Sequence, residues 1–253
     1  MYATSIIKEF LIHTGKTIFR NKTDQFIDDF KRDILDIKIR RTALSAVLNY
    51  YSLLRSNRNL ISLKSPGAGS KNRSSKTIVS QYARRTSVSK KRGKLLYRVV
   101  LKFKPELIIE LGTSLGISAM YMLAANPLAR LITVEGNPQI ADMAASNFRL
   151  YRYDNVTVIN RLFDDIVSDL VREVNANTLV FIDGNHGFDA TLRYFHAFSE
   201  ASVVVLDDIR WSEDMMRAWK QIKSSVSNAT TIDLYDMGII INGGPGKEYS
   251  FWL

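Results

Sequence analysis

From Glu106 to the C-terminus, short apolar runs alternate with longer stretches whose apolar residues recur at helical spacing. The runs Leu107–Leu111, Leu131–Glu135, Val156–Ile159, Leu179–Asp183 and Ser202–Asp207 are rich in β-branched residues and read as strands. Amphipathic segments beginning near Gly116, Pro138, Phe163, Phe188 and Ser212 separate or follow them. Strands joined by helices of this length build βαβ units, so the pattern predicts an α/β fold with a doubly wound, mostly parallel sheet. Thr230–Leu234 and Gly238–Ile241 lie too close together for a helical crossover, so these last two strands are expected to pair antiparallel as a C-terminal hairpin. The sheet then has seven strands.

The first third follows another pattern. Residues 1–60 carry apolar positions at helical spacing, among them Phe26, Phe30, Ile34, Leu44, Val47, Tyr51 and Leu54, and predict a helical N-terminal extension of two or three helices. Residues 61–88 hold a Gly/Ser/Lys-rich stretch with little apolar surface and read as a basic loop or linker. The main domain is expected over 89–253. Ser89 is a candidate N-cap for a helix whose apolar face is Leu95, Leu96, Val99, Val100 and Phe103, and Pro105 ends it.

Composition narrows the chemistry. The chain has 253 residues and no cysteine, which removes disulfides, thiolate metal sites and thiol nucleophiles. No apolar run approaches the ~20 residues needed to span a bilayer, and Lys8 and Glu9 interrupt any signal-peptide core, so a cytoplasmic protein is expected. The net charge of +10 is uneven: residues 1–92 hold 20 Lys/Arg against 6 Asp/Glu, and the remainder 15 against 19. Basic character confined to one third points to an anionic acceptor, to nucleic acid or simply to a solvated helical face.

Two features mark a nucleoside site. The first strand runs into Glu110-Leu-Gly112-Thr-Ser114-Leu-Gly116-Ile-Ser118 and then into a helix. Gly112 and Gly116 allow a tight turn and close approach of a ligand to the backbone. Glu135, 19 positions after Gly116, ends the next strand, where its carboxylate can accept both hydroxyls of a ribose. A dinucleotide fold would use G-x-G-x-x-G, whereas the spacing here is E-x-G-x-x-x-G.

These residues, with the runs RGKLLYRVV, LITVEGNP, LVFIDGNH and VVVLDDI, resemble the class I S-adenosylmethionine-dependent methyltransferases, in particular the catechol O-methyltransferase-like branch acting on small molecules. The first third, with Gly67 to Ser70, is similar to an uncharacterised bacterial subgroup of that branch. The resemblance implies a Rossmann-like methyltransferase fold and S-adenosylmethionine as cofactor. It places Gly112, Ser114 and Ser118 at the methionine end, Glu135 at the ribose, and Phe163 and Asp164 beside the adenine, with Glu110, Gly116 and Asp183 completing the cofactor set.

Methyl transfer is an in-line displacement, so the protein mainly aligns reactants and removes the acceptor's proton. The acidic ends of strands four and five, Asp183-Gly-Asn-His186 and Asp207-Asp208, are the place for that work. The resemblance implies a metal site at Asp183, Asp207 and Asp208, with Asp208 where the branch has Asn. Oxygen ligands in this number suit Mg²⁺, with Ca²⁺ or Mn²⁺ as substitutes. The branch's lysine base is matched in position by His186, whose imidazole titrates near neutrality, so His186 and Asp183 are the expected catalytic pair. His196 and Trp211 are read as packing residues, with stacking on an acceptor ring as the alternative for Trp211. The expected activity is O-methylation of a small-molecule hydroxyl, and a homo-oligomer fits this reading. Two alternatives stay open: an RNA-modifying methyltransferase recruited by the basic first third, and a non-catalytic nucleoside-binding module.

Overall fold

A computed structural model describes residues 25–63 and 75–250. The chain forms two compact units, one of residues 33–169 and one of 170–253 together with residues up to Arg32. The mixed sheet has eight strands, and a separate two-stranded ladder precedes it.

In the unit of residues 33–169, a 3-10 turn at Arg41–Leu44 leads into helix α2 (Ser45–Ser56), which buries Val47, Tyr50 and Leu54. Strands β1 (Leu60–Leu63) and β2 (Ser75–Ile78) pair antiparallel, and α3 (Val79–Thr86) follows at once. Residues 61–88, expected as a loop or linker, therefore contain a ladder strand and a helix. The difference has a simple cause: α3 buries only Val79, Ser80 and Ala83, small side chains that leave a weak periodic signal. Helix α4 (Lys90–Phe103) is capped as the sequence predicts, with Ser89 Oγ accepting from Arg92 N–H at 3.3 Å. Its chain stops at Lys104, in the left-handed region at φ 47°, just before Pro105.

The same unit holds three parallel strands, β3 (Leu107–Leu111), β4 (Arg130–Val134) and β5 (Val156–Ile159). β3 is buried throughout, as a parallel strand covered on both faces must be. Helices α5 (Ile117–Ala125) and α6 (Pro138–Leu150) follow β3 and β4. α5 buries seven of its nine residues, whereas α6 buries only Ile140, Ala141, Ala144 and Phe148 on one face. Helix α7 (Phe163–Val171) comes after β5.

In the unit containing the C-terminal part, β6 (Thr178–Ile182) and β7 (Val203–Leu206) run parallel. β9 (Gly238–Asn242) pairs antiparallel with both β7 and β8 (Ala229–Asp233), which is the predicted C-terminal hairpin. An eighth strand, β10 (Glu248–Ser250), lies parallel to β8; the sequence reading stopped at seven because three residues carry no periodicity. Helices α8 (Phe188–Ala197) and α9 (Glu213–Ser225) fall where expected, and Ser212 caps α9. A short α1 (Gln25–Phe30) continues as a π-helical turn through Leu35. Residues 1–24, the Gly67–Ser70 loop and His13 lie outside the described residues. Among the described residues no helix is long and apolar enough to cross a membrane.

Candidate active site

The turn after β3 folds back over the end of β4. Gly112 N–H and Thr113 N–H both donate to the Val134 carbonyl, at 3.1 Å each. Gly112 sits at φ 115°, which suits glycine alone. Gly116 sits at φ 82° over the Phe148 ring, where a side chain would collide. The fold-back delivers Ser114 N–H to Glu135, at 2.9 Å from Oε2, while Asn137 N–H donates to Oε1 at 2.8 Å. The glycine turn and the carboxylate thus meet, as the spacing predicted. Each carboxylate oxygen keeps a lone pair for a further donor. Burial pushes the Glu135 carboxyl above the usual carboxylate range, against the three backbone N–H groups that lower it.

Glu110, expected among the cofactor residues, is fully buried, so it has no surface to offer a ligand. It pairs in register with Thr133 on β4, and its carboxyl accepts Ser118 Oγ–H at 2.5 Å and Thr133 Oγ1–H at 2.6 Å. Thr113 and Thr133 share a further hydroxyl contact at 2.5 Å. Glu110 therefore braces the loop from behind and fixes Ser118. Desolvation raises its carboxyl to about 7.

Several supporting groups come from residues the sequence reading left aside. Tyr50 on α2 donates its hydroxyl to the Leu115 carbonyl at 2.6 Å and accepts from Asn147 Nδ2 on α6. Thr86 at the end of α3 shares a hydroxyl contact of 3.0 Å with Ser114. On the other side, Asn137 caps α6 and donates to the Ser62 carbonyl, and Asn160 after β5 donates to the Glu135 carbonyl at 2.7 Å. Only Asn137, standing before Pro138, carried a local signal. Phe163 is half-buried at the start of α7 and Asp164 beside it is exposed.

The second cluster lies wholly in the other unit. Asp183 and His186 follow β6, and Asp208 follows β7; their ligand atoms lie within 4.8 Å of one another. His186 Nε2 is 4.0 Å from both Asp183 Oδ1 and Asp208 Oδ2. Asn185 and Asp208 adopt φ of 52° and 53°, in the left-handed region that Asn and Asp enter more readily than other non-glycine residues. The grouping differs from the expected Asp183, Asp207 and Asp208. Asp207 is buried, its Oδ1 accepting the Asp208 N–H at 2.9 Å, and His186 stands in the group instead. Two carboxylates and an imidazole are a donor set that fits a divalent cation.

Behind this loop, Arg210 makes a bidentate ion pair with Asp233, at 2.8 and 2.9 Å, and donates to the Tyr235 carbonyl. Trp219 Nε1 donates to the same carboxylate, whose pKa is held low by Arg210 despite burial. Trp219 is a core residue, as packing predicts, but Trp211 is 67% exposed, its ring 6.4 Å from that of His186. His196, read as a core or boundary residue, is exposed.

Residues 109–209 match a family model described as a methyltransferase domain. Bovine (Bos taurus) catechol O-methyltransferase is 36% identical over 103 residues, covering 38% of this chain and 37% of that protein. The chain thus spans well under two thirds of the length of this relative. The chain is thus similar to methyltransferase domains over residues 109–209 and to catechol O-methyltransferase over a stretch of 103 residues. Solved structures extend the likeness in fold over most of the chain. An O-methyltransferase from Bacillus cereus, solved with S-adenosylhomocysteine, superposes with a TM-score of 0.56 at 19% identity, covering 86% of this chain and 97% of its own. The O-methyltransferase TomG from Streptomyces achromogenes, solved with S-adenosylmethionine, gives 0.55 at 20% identity, covering 86% and 96%. The mostly parallel sheet with antiparallel C-terminal strands is the Rossmann-like arrangement of these methyltransferases.

Proposed function

We propose that the protein transfers a methyl group from S-adenosylmethionine to a hydroxyl of a small-molecule acceptor, assisted by a divalent cation. The observation that carries this reading is the bond from Ser114 N–H to Glu135, which turns two separate sequence features into one cradle. Glu135 would accept the two ribose hydroxyls on its remaining lone pairs. Ser118 Oγ–H donates a hydrogen bond to Glu110, so its oxygen would meet the methionine end as an acceptor, suited to an ammonium group. Phe163 and Asp164 are assigned to the adenine on the resemblance alone.

Asp183, Asp208 and His186 would hold the cation at the carboxyl ends of their own parallel strands, where α/β sheets bind ligands. A divalent ion supplies charge that lowers the pKa of an acceptor hydroxyl, and the cofactor supplies a methyl already activated by its sulfonium. Trp211 presents an exposed ring beside this group and offers an acceptor a stacking face.

Isothermal titration with S-adenosylhomocysteine tests the cofactor half. Saturable one-site binding is expected, weakened at least tenfold in Glu135→Ala; no binding with or without a divalent ion would overturn the reading. Turnover of a panel of hydroxylated small molecules in the wild type, lost in Asp183→Ala, separates an enzyme from a binding module. Methylation of RNA with a steep salt dependence would favour the nucleic-acid alternative instead.

A further inference from the structure

Helix α3 carries two hydroxyls outside its buried face. It packs Val79, Ser80 and Ala83 inward, whereas Tyr82 and Thr86, one helical turn apart, share a neighbouring face. Thr86 Oγ1 donates to the Tyr82 carbonyl at 3.1 Å, and Ser114 Oγ lies 3.0 Å from the same Thr86 oxygen. A threonine hydroxyl has one proton to give, so in the second contact Ser114 donates. The Tyr82 hydroxyl comes within hydrogen-bonding reach of both Ser114 and Thr86, and it feels the charge of Glu135. It therefore stands beside the residue whose N–H holds the Glu135 carboxylate. The same stretch of chain grips the other flank of that carboxylate. Asn137, whose N–H donates to Glu135 Oε1, gives a side-chain bond to the Ser62 carbonyl on β1, and Ser62 N–H donates to Gln139 Oε1 at 2.6 Å. β1 pairs with β2, which runs directly into α3. Both neighbours of Glu135 are thus tied to one ladder-and-helix segment, with Tyr82 half-buried at the edge of the cradle.

We infer that Tyr82 is a cofactor-binding residue whose phenolic O–H donates to a ribose oxygen of the bound nucleoside. This rests on the reading of Glu135 as the ribose acceptor. The two groups are chemically complementary. A carboxylate only accepts, so a ribose hydroxyl held by Glu135 gives its proton there and keeps oxygen lone pairs open to a donor. Ser114 N–H and Asn137 N–H are engaged with Glu135 itself, and Ser114 Oγ–H is turned to Thr86. The Tyr82 hydroxyl supplies the donor. Burial raises its pKa and the Glu135 charge adds to that, against the contact with Ser114 that lowers it, so the phenol keeps its proton at neutral pH. Rotation about one C–O bond carries that proton from Ser114 to the ligand. One ribose hydroxyl is then read twice, as donor to Glu135 and as acceptor from Tyr82, and the site selects it over a deoxyribose.

Calorimetric titration of the whole chain with S-adenosylhomocysteine, and with its 2′-deoxy and 3′-deoxy analogues, tests the assignment. Tyr82→Phe keeps the ring and removes only the hydroxyl. It is expected to weaken S-adenosylhomocysteine binding about fivefold, as the loss of one neutral hydrogen bond does. On one of the two deoxy analogues, wild type and variant should agree within about twofold, because the oxygen that Tyr82 meets is gone. An unchanged S-adenosylhomocysteine affinity, or an equal loss on all three ligands, overturns the inference. Tyr82→Leu takes the place of a Tyr82→Phe variant that does not fold, and failure of both to fold assigns the side chain to packing and overturns it as well. If wild type binds S-adenosylhomocysteine and Glu135→Ala weakens that binding while Tyr82→Phe does not, this inference falls and the cofactor reading stands. Absence of binding in wild type removes the cofactor reading, and the inference with it.

Discussion

Glu110 shows how one buried acid can couple loop geometry to pH. Its carboxyl accepts Ser118 and Thr133, and burial lifts it from 4.5 to about 7. A carboxyl with a raised folded-state pKa binds its proton more tightly folded than unfolded. Stability is therefore highest when the group is protonated, falls as pH rises from the unfolded value through about 7, and stays low above. Removing the titration with Glu110→Gln should leave a variant whose melting temperature, relative to wild type, climbs between pH 5 and about pH 7 and levels off above. A difference that does not change with pH would show that Glu110 is already ionised, or already neutral, across that range. Glu135 is also raised by burial, but it is partly exposed, and its role is expected in affinity rather than in stability.

At the scale of elements, two ties hold the site loops, and each predicts a distinct loss. Tyr50 spans from α2 to the Leu115 carbonyl and to Asn147 on α6, and it is buried. Tyr50→Phe keeps the ring but strands these polar partners, a loss of about 1–3 kcal/mol that urea unfolding would measure. S-adenosylhomocysteine affinity should fall with it, because Leu115 belongs to the glycine turn. The second tie is the Arg210–Asp233 pair that anchors the loop carrying Asp207 and Asp208 to β8. Breaking one member of a buried pair leaves an uncompensated charge, so Arg210→Met should cost about 3–5 kcal/mol. The double variant Arg210→Met with Asp233→Leu should recover part of that, as read by chemical denaturation.

The strands were legible because buried parallel strands are continuous apolar runs: β3 and β5 match their expected bounds, and β4, β6 and β7 each differ by one residue at both ends. Helix α3 was not, since it buries small residues in a basic, serine-rich context. The meeting of the glycine turn with Glu135 was readable from spacing alone. Tyr50 was not, because its partner lies 65 residues away and nothing local marks the contact. The grouping of His186 with Asp183 and Asp208 was hidden for a related reason: it depends on where three side chains from two loops come to lie, which residue type does not give.

Across the molecule, the described residues give the uneven charge a concrete location. Arg84, Arg85, Lys90 and Lys91 are exposed on α3 and α4, close in sequence to Thr86, which touches the glycine turn through Ser114. An acceptor bearing phosphate or carboxylate should therefore show a Michaelis constant that rises with ionic strength, and Arg84→Gln with Arg85→Gln should flatten that rise. A salt-independent constant for an anionic acceptor would assign this charge to solubility.

Gly93 on α4 lies against the Tyr121 ring of α5, and a methyl group there would overlap the ring. Gly93→Ala would thus act as a wedge between two helices, one of which begins at the glycine turn. Such a variant could alter nucleoside affinity without touching any atom of the cradle, which makes this unremarkable glycine a remote tuning point for the whole first half of the site.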